Sequence, residues 1–260
     1  MVKKLLLNFF LMGFLNIILS STTPADDTPV FLIAGQSNAV GWDTGAPADQ
    51  YLNDAITGCQ IYTGSAWQTL EFGVNNEGNG AGNHGIELNL GYLATQYYNN
   101  TSRIIKLGDG ATYLAQKAGD DWNMGSVGEL YDDLITKAAN GVAGIGTYRY
   151  KGLIWIQGES DGLNATDANA YETNLTAFIN ALRTDLDYQI PVVLIKVNSG
   201  LVEYYPYIAT VRTAMDNVAT TLQKVFTVDT QDAAYTGTVH YTSAYFNTMA
   251  DTCFNLIKTL

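Results

Sequence analysis

From Pro29 onward, short apolar runs alternate with amphipathic stretches. Runs rich in Val and Ile at 30–34, 103–107, 152–157, 192–197 and 225–229 predict five buried strands. Between them, apolar residues recur at spacings of three and four. The clearest case is 167–186, where Tyr171, Leu175, Phe178, Leu182 and Leu186 form one stripe. Similar patterns predict helices at 86–98, 129–139, 205–222 and 244–260. Strand and helix in regular alternation imply parallel pairing. The expected fold is α/β: a three-layer α/β/α sandwich around a mostly parallel five-stranded sheet. Residues 43–85, rich in Gly and Asn, fit this alternation least and read as a long excursion over one rim.

The N-terminus carries a different pattern. Lys3 and Lys4 precede an apolar run from Leu5 to Leu19, and Ser20, Ser21, Thr22 and Thr23 follow. This is the layout of a secretory signal, too short for a comfortable membrane span. The expectation is a cleaved signal at 1–22, a single domain at 23–260, and a secreted or periplasmic product without a membrane anchor. Export permits a disulfide, for which Cys59 and Cys253 are the candidates. Their spacing leaves pairing and two separate buried thiols equally open.

Composition narrows the partners. Twenty-five acidic residues against thirteen basic ones give a formal charge of −12. Loss of Lys3 and Lys4 with the signal would take that from −12 to −14. Phosphate recognition depends on clustered Lys and Arg, so nucleic acid is an unsuitable partner, as is an anionic membrane. Neutral ligands such as sugars remain.

In sheets of this kind, ligands sit beyond the carboxyl ends of the strands. Those positions hold Gly35-Gln36-Ser37-Asn38 after the first strand and Lys106-Leu107-Gly108-Asp109-Gly110-Ala111-Thr112 at the second. Gln157-Gly158-Glu159-Ser160-Asp161 follows the third, and Asp229-Thr230-Gln231-Asp232 precedes His240 after the fifth. A hydroxyl, an imidazole, carboxylates and amide donors thus converge on one edge. Each piece has a plainer use: a helix cap for Ser37, a turn at Gly-Asp-Gly, a solvated rim for Glu159 and Asp161, and a half-buried histidine at His240. His84, in the excursion, reads as a pocket or helix-capping residue.

Taken together, Gly35-Gln36-Ser37-Asn38, Gln157-Gly158-Glu159-Ser160-Asp161 and the late His240-Tyr241 resemble the sialate O-acetylesterase-like and family 6 carbohydrate esterase group of SGNH hydrolases. The resemblance spans the mature chain. It implies a flavodoxin-like fold and removal of O-acetyl groups from carbohydrates (acetylxylan or sialate type) through an acetyl-enzyme, without metal or cofactor. It places the nucleophile on Ser37 and the base on His240. The oxyanion donors fall on the Ser37 and Gly110 backbone and the Gln157 side chain. Gln36, Asn38 and Asp161 are expected to meet substrate. One position departs from the pattern: three residues before the histidine, where the acid usually stands, is Gly237. Glu159 is the first choice for the acid, with Asp229 and Asp232 in reserve. Competing readings are an SGNH esterase on a non-carbohydrate or peptidoglycan ester, and a non-catalytic glycan-binding module. A calcium site at Asp161, Asn164 and Asp167 lacks EF-hand spacing.

Overall fold

The structure is a computed structural model that describes residues 27–76, 80, 82–98 and 101–260; the expected signal at 1–22 lies outside the described residues. Val- and Ile-rich runs form the central strands, and their alternating side chains serve two cores. In β1 (Thr28–Gly35), Val30, Leu32 and Ala34 enter one core, while Phe31 and Ile33 enter the other. Both faces of the sheet are therefore covered, which is the condition for parallel strands.

A short helix α1 (Ser37–Val40) follows β1 directly. The chain then crosses the rim and forms β2 (Cys59–Tyr62) and β3 (Trp67–Thr69), followed by α2 (Glu87–Tyr97) and β4 (Ser102–Gly108). Next come α3 (Leu130–Val142), β5 (Tyr148–Ile156), α4 (Ala165–Asp185), β6 (Val192–Lys196), α5 (Ile208–Thr221) and β7 (Val225–Asp229). The strands β8 (Tyr235–Thr236) and β9 (His240–Tyr241) pair as a small hairpin, and α6 (Ser243–Ile257) closes the chain. The main sheet runs β3-β2-β4-β1-β5-β6-β7, and β3 alone is antiparallel to its neighbour.

The expected three-layer α/β sandwich is present, with seven strands in the sheet rather than five. The additional pair, β2 and β3, lies in the Gly- and Asn-rich segment expected to be an excursion. The apolar periodicity there is too short to register: β2 has four residues and β3 three, and β3 is largely exposed at the sheet edge.

Helix faces follow the sequence stripes. Asn164 caps α4 by accepting a hydrogen bond from the Asp167 amide, and Tyr171, Leu175, Phe178 and Leu182 are buried on one side. They pack with α3 and α5 on one face of the sheet, whereas α2 and α6 cover the other. Cys59 and Cys253 are both buried and unpaired, which resolves the open choice in favour of separate thiols. Among the described residues, no helix is long and apolar enough to cross a membrane.

Candidate active site

Strand order reverses direction at β1, with β4 on one side and β5 on the other. The three strand ends are level, because Gly35 pairs with both Gly108 and Ile156. A crevice at such a switch point is where this architecture presents ligands. Gly35 makes the turn possible. Its φ of 143° and the Ile156 carbonyl oxygen, 2.0 Å from where a Cβ would stand, exclude any side chain. The chain therefore leaves β1 abruptly, and Ser37 becomes the first residue of α1 with 8% of its surface exposed.

His240 reaches the same rim from β9. Its hairpin turn passes through Gly237 at φ 66°, so the usual position of the acid is occupied here by a left-handed turn residue. The imidazole lies edge-on to Trp42, with ring centroids 6.0 Å apart. Its Nδ1–H donates to Asp43 Oδ2 at 2.7 Å. The sequence reading missed Asp43, which sits in the rim-crossing segment six residues after the serine. The pattern Gly41-Trp42-Asp43-Thr44-Gly45 signals a turn but does not say which way the carboxylate faces.

Glu159 lies elsewhere. It is 2% exposed, its Oε1 accepts from Asn38 Nδ2 at 2.9 Å, and its Oε2 has no hydrogen-bond partner. Burial pushes its carboxyl above the ordinary range. Asp229 is bound to Arg212 at 2.7 Å, and Asp232 accepts from the Tyr245 hydroxyl at 3.1 Å. The structure thus gives His240 a carboxylate that is none of the three expected.

Several other expected roles also change. The Gln157 amide spends both N–H donors, on the Thr112 carbonyl at 3.1 Å and Asp161 at 2.7 Å, while its oxygen accepts from Tyr171. Fully buried and saturated, it has no donor left for an oxyanion. Asp161 accepts the Leu114 and Ala115 amides, each at 2.9 Å, and so fastens the loop after β4 rather than meeting substrate. Burial raises its carboxyl also. Gln36 is buried with its side-chain oxygen turned to the Gly158 and Ser160 amides. Asn38 is buried as well, bonded to Glu159 and to the Val239 and Tyr241 backbone on either side of His240. These side chains build the rim from beneath. Gly110 remains beside the site, against the Trp42 ring. Ala111, next in the same loop, adopts φ 61°. No group of three or more potential metal ligands occurs among the described residues.

His84 is fully buried, its backbone beside Gly41 and Thr44 and its ring turned inward. Its Nδ1–H donates to the Gly85 carbonyl at 2.9 Å, so Nε2 accepts from the Ser243 hydroxyl at 2.8 Å. Burial lowers its pKa, and both nitrogens are committed as the neutral ring requires. Trp122 and Trp155 are core residues stacked edge to face at 5.1 Å.

Comparison with known proteins bears on the family and the fold. Residues 27–255 match the family described as "Carbohydrate esterase, sialic acid-specific acetylesterase". The Arabidopsis thaliana protein named "Probable carbohydrate esterase At4g34215" is 32% identical over 81 residues, a match spanning 31% of this chain and 30% of that relative. The crystal structure of that plant protein aligns with a TM-score of 0.74 at 19% identity, covering 90% of this chain and 98% of the other. NanS aligns with a TM-score of 0.71 at 16% identity over 90% of this chain and 97% of its own. A carbohydrate acetylesterase from Xanthomonas citri gives 0.63 at 16% identity, covering 89% and 57%. Those three alignments speak for the fold, while the match over 27–255 speaks for descent. The family match across nearly all described residues shows that this chain belongs to the family of carbohydrate esterases described as sialic acid-specific acetylesterases.

Proposed function

We propose that the protein removes O-acetyl groups from carbohydrates by a serine mechanism in which Ser37 is the nucleophile and His240 the base. The observation that carries this reading is the rim itself. Ser37 begins a helix at the switch point, and the imidazole held over that rim has Nδ1 occupied, leaving Nε2 for the serine proton. A serine hydroxyl needs such a base to attack an ester.

The steps balance without a further reagent. Ser37 Oγ bonds to the acetyl carbonyl carbon as its proton passes to His240. The tetrahedral oxyanion is met by backbone N–H groups, and we assign this task to those of Ser37 and Gly110. The bond from that carbon to the sugar oxygen breaks, and the imidazolium returns the proton to the sugar. Water, deprotonated by the same imidazole, then attacks the acetyl-enzyme and releases acetate, while the proton returns to Ser37.

The signal pattern at 1–22 supports secretion or export to a periplasm, with 23–260 as the working domain. The substrate falls between acetylated neutral glycans and acetylated sialic acid, and the acidic balance favours the former. Ser37→Ala tests the mechanism. It is expected to lower acetate release from an acetylated glycan panel by about four orders of magnitude or more. It should also abolish stoichiometric labelling by a fluorophosphonate. Retention of a tenth of the activity would exclude the serine route.

A further inference from the structure

Two carboxylates serve the histidine loop, and the structure separates their tasks. Asp43 touches the imidazole itself, at 2.7 Å from Nδ1. Glu159 touches Asn38. The Asn38 amide in turn grips the chain on both sides of His240. Its Nδ2 donates to the Val239 carbonyl at 3.1 Å, and its Oδ1 accepts from the Tyr241 amide at 3.1 Å. Asn38 is also the residue next to Ser37. One buried side chain therefore ties the backbone of the base to the backbone of the nucleophile, and Glu159 fixes that side chain from behind.

Asp43 is held where it stands by its own neighbours. Gly41 ends α1 with its amide on the Ser37 carbonyl, and Asp43 follows at φ 57°. Thr44 then bonds the His84 backbone through both donation and acceptance at 2.8 Å, so the turn is anchored immediately after the carboxylate. The Asp43 side chain is 65% exposed, whereas Glu159 is enclosed.

We propose that Asp43 is the carboxylate that orients His240 and balances its positive charge, and that Glu159 is a positioning residue acting through Asn38. This rests on the serine mechanism above. It assigns the acid to the segment directly after the nucleophile helix, in place of the turn glycine at 237. Both groups act through another residue, so both are positioning residues rather than groups that meet substrate.

The difference in exposure supplies the test. Asp43→Gly suits the left-handed backbone and opens a solvent-facing gap beside Nδ1 that a small carboxylate can enter. Turnover of p-nitrophenyl acetate is measured for Asp43→Gly, Asp43→Asn, Glu159→Gln and Asn38→Ala, with thermal midpoints alongside. The expected result is a kcat loss of about 10²- to 10⁴-fold in both Asp43 variants with little change in KM. Added formate, and not equal chloride, restores part of the loss in Asp43→Gly. Glu159→Gln keeps kcat within about tenfold, because an amide oxygen still accepts from Asn38 and no charge on residue 159 is required. Asn38→Ala lowers kcat more than Glu159→Gln does.

The assignment is overturned if either folded Asp43 variant turns over like the wild type, if formate restores nothing, or if Glu159→Gln falls as far as Asp43→Asn. Ser37→Ala serves as the reference. If it is inactive while the Asp43 variants are normal, the serine mechanism stands and the carboxylate assignment falls. If Ser37→Ala is active, the mechanism itself has failed.

Discussion

The two histidines show how surroundings give one side chain different work. His240 sits at the rim, 15% exposed, with an aspartate on one nitrogen. His84 is sealed between a carbonyl and a hydroxyl, where burial favours the neutral ring. Because burial lowers its pKa in the folded state, the unfolded chain binds more protons below about pH 6.5. Stability linked to His84 is therefore complete above that pH and is lost as pH falls, by up to about 1.4 kcal/mol per unit. Glu159 and Asp161 have the opposite sign, since their raised values favour the folded state in acid. Denaturant titration of wild type and His84→Gln between pH 7 and 5 isolates the histidine, because glutamine can donate and accept but does not titrate. The variant is expected to lose less stability on acidification, and parallel curves would refute a buried neutral His84. At this scale the sequence was informative about placement where a polar residue and a strand end coincide, as with Ser37 directly after β1. It was silent on Asp43, whose significance depends on a turn that brings residues 43 and 240 together across nearly two hundred positions. It misled at Gln157 and Asp161, since a polar side chain at a strand end can equally face the ligand or the loop below it.

Among the elements, α1 has the greatest consequence for its length. Four residues cannot sustain a helix by themselves. Its C-terminal end is instead held by Lys106, whose ammonium donates to the Val40 carbonyl at 2.9 Å, the Asn76 carbonyl at 3.3 Å and Glu87 at 2.8 Å. Both members of this ion pair are buried. Lys106→Met would strand the Glu87 carboxylate and is expected to cost about 3–5 kcal/mol. Lys106→Met combined with Glu87→Leu should recover much of that loss, because neither charge then remains buried alone. Urea unfolding of the two variants measures this, and equal losses would show that the pair is not the source. The helices and central strands could be read from periodicity because each buries a long, regular stripe. The hairpin of β2 and β3 could not, since a three-residue edge strand with two exposed positions leaves too little alternation to detect.

At the scale of the molecule, a formal charge of −12 gives the chain a net negative field. Such a field slows the approach of anions and is screened by salt over roughly 10 Å at 0.1 M. For an acetylated sialic acid, kcat/KM is expected to rise with ionic strength, while for a neutral acetylated xylan it should stay nearly constant. Stopped-time acetate assays from 20 to 300 mM salt compare the two, and a fall for the anion would point to a local basic subsite outweighing the net charge. The order of strands and helices along the chain conveyed the layered architecture, since alternation leaves few ways to cover a parallel sheet. What alternation leaves open is which pairs of loops meet above the sheet, and the carboxylate of His240 was lost in that gap.

The two sealed thiols carry a further implication. Cys59 lies in a strand near one edge and Cys253 in the closing helix, both within the same core beneath the sheet. Burial pushes the Cys59 thiol up to about 12 and Cys253 higher still, so neither presents thiolate to the surroundings while the core is closed. These two thiols are accordingly shielded from the redox poise of the surroundings. Their oxidation is set by how often the core opens, so a modified Cys59 or Cys253 records unfolding events rather than exposure time.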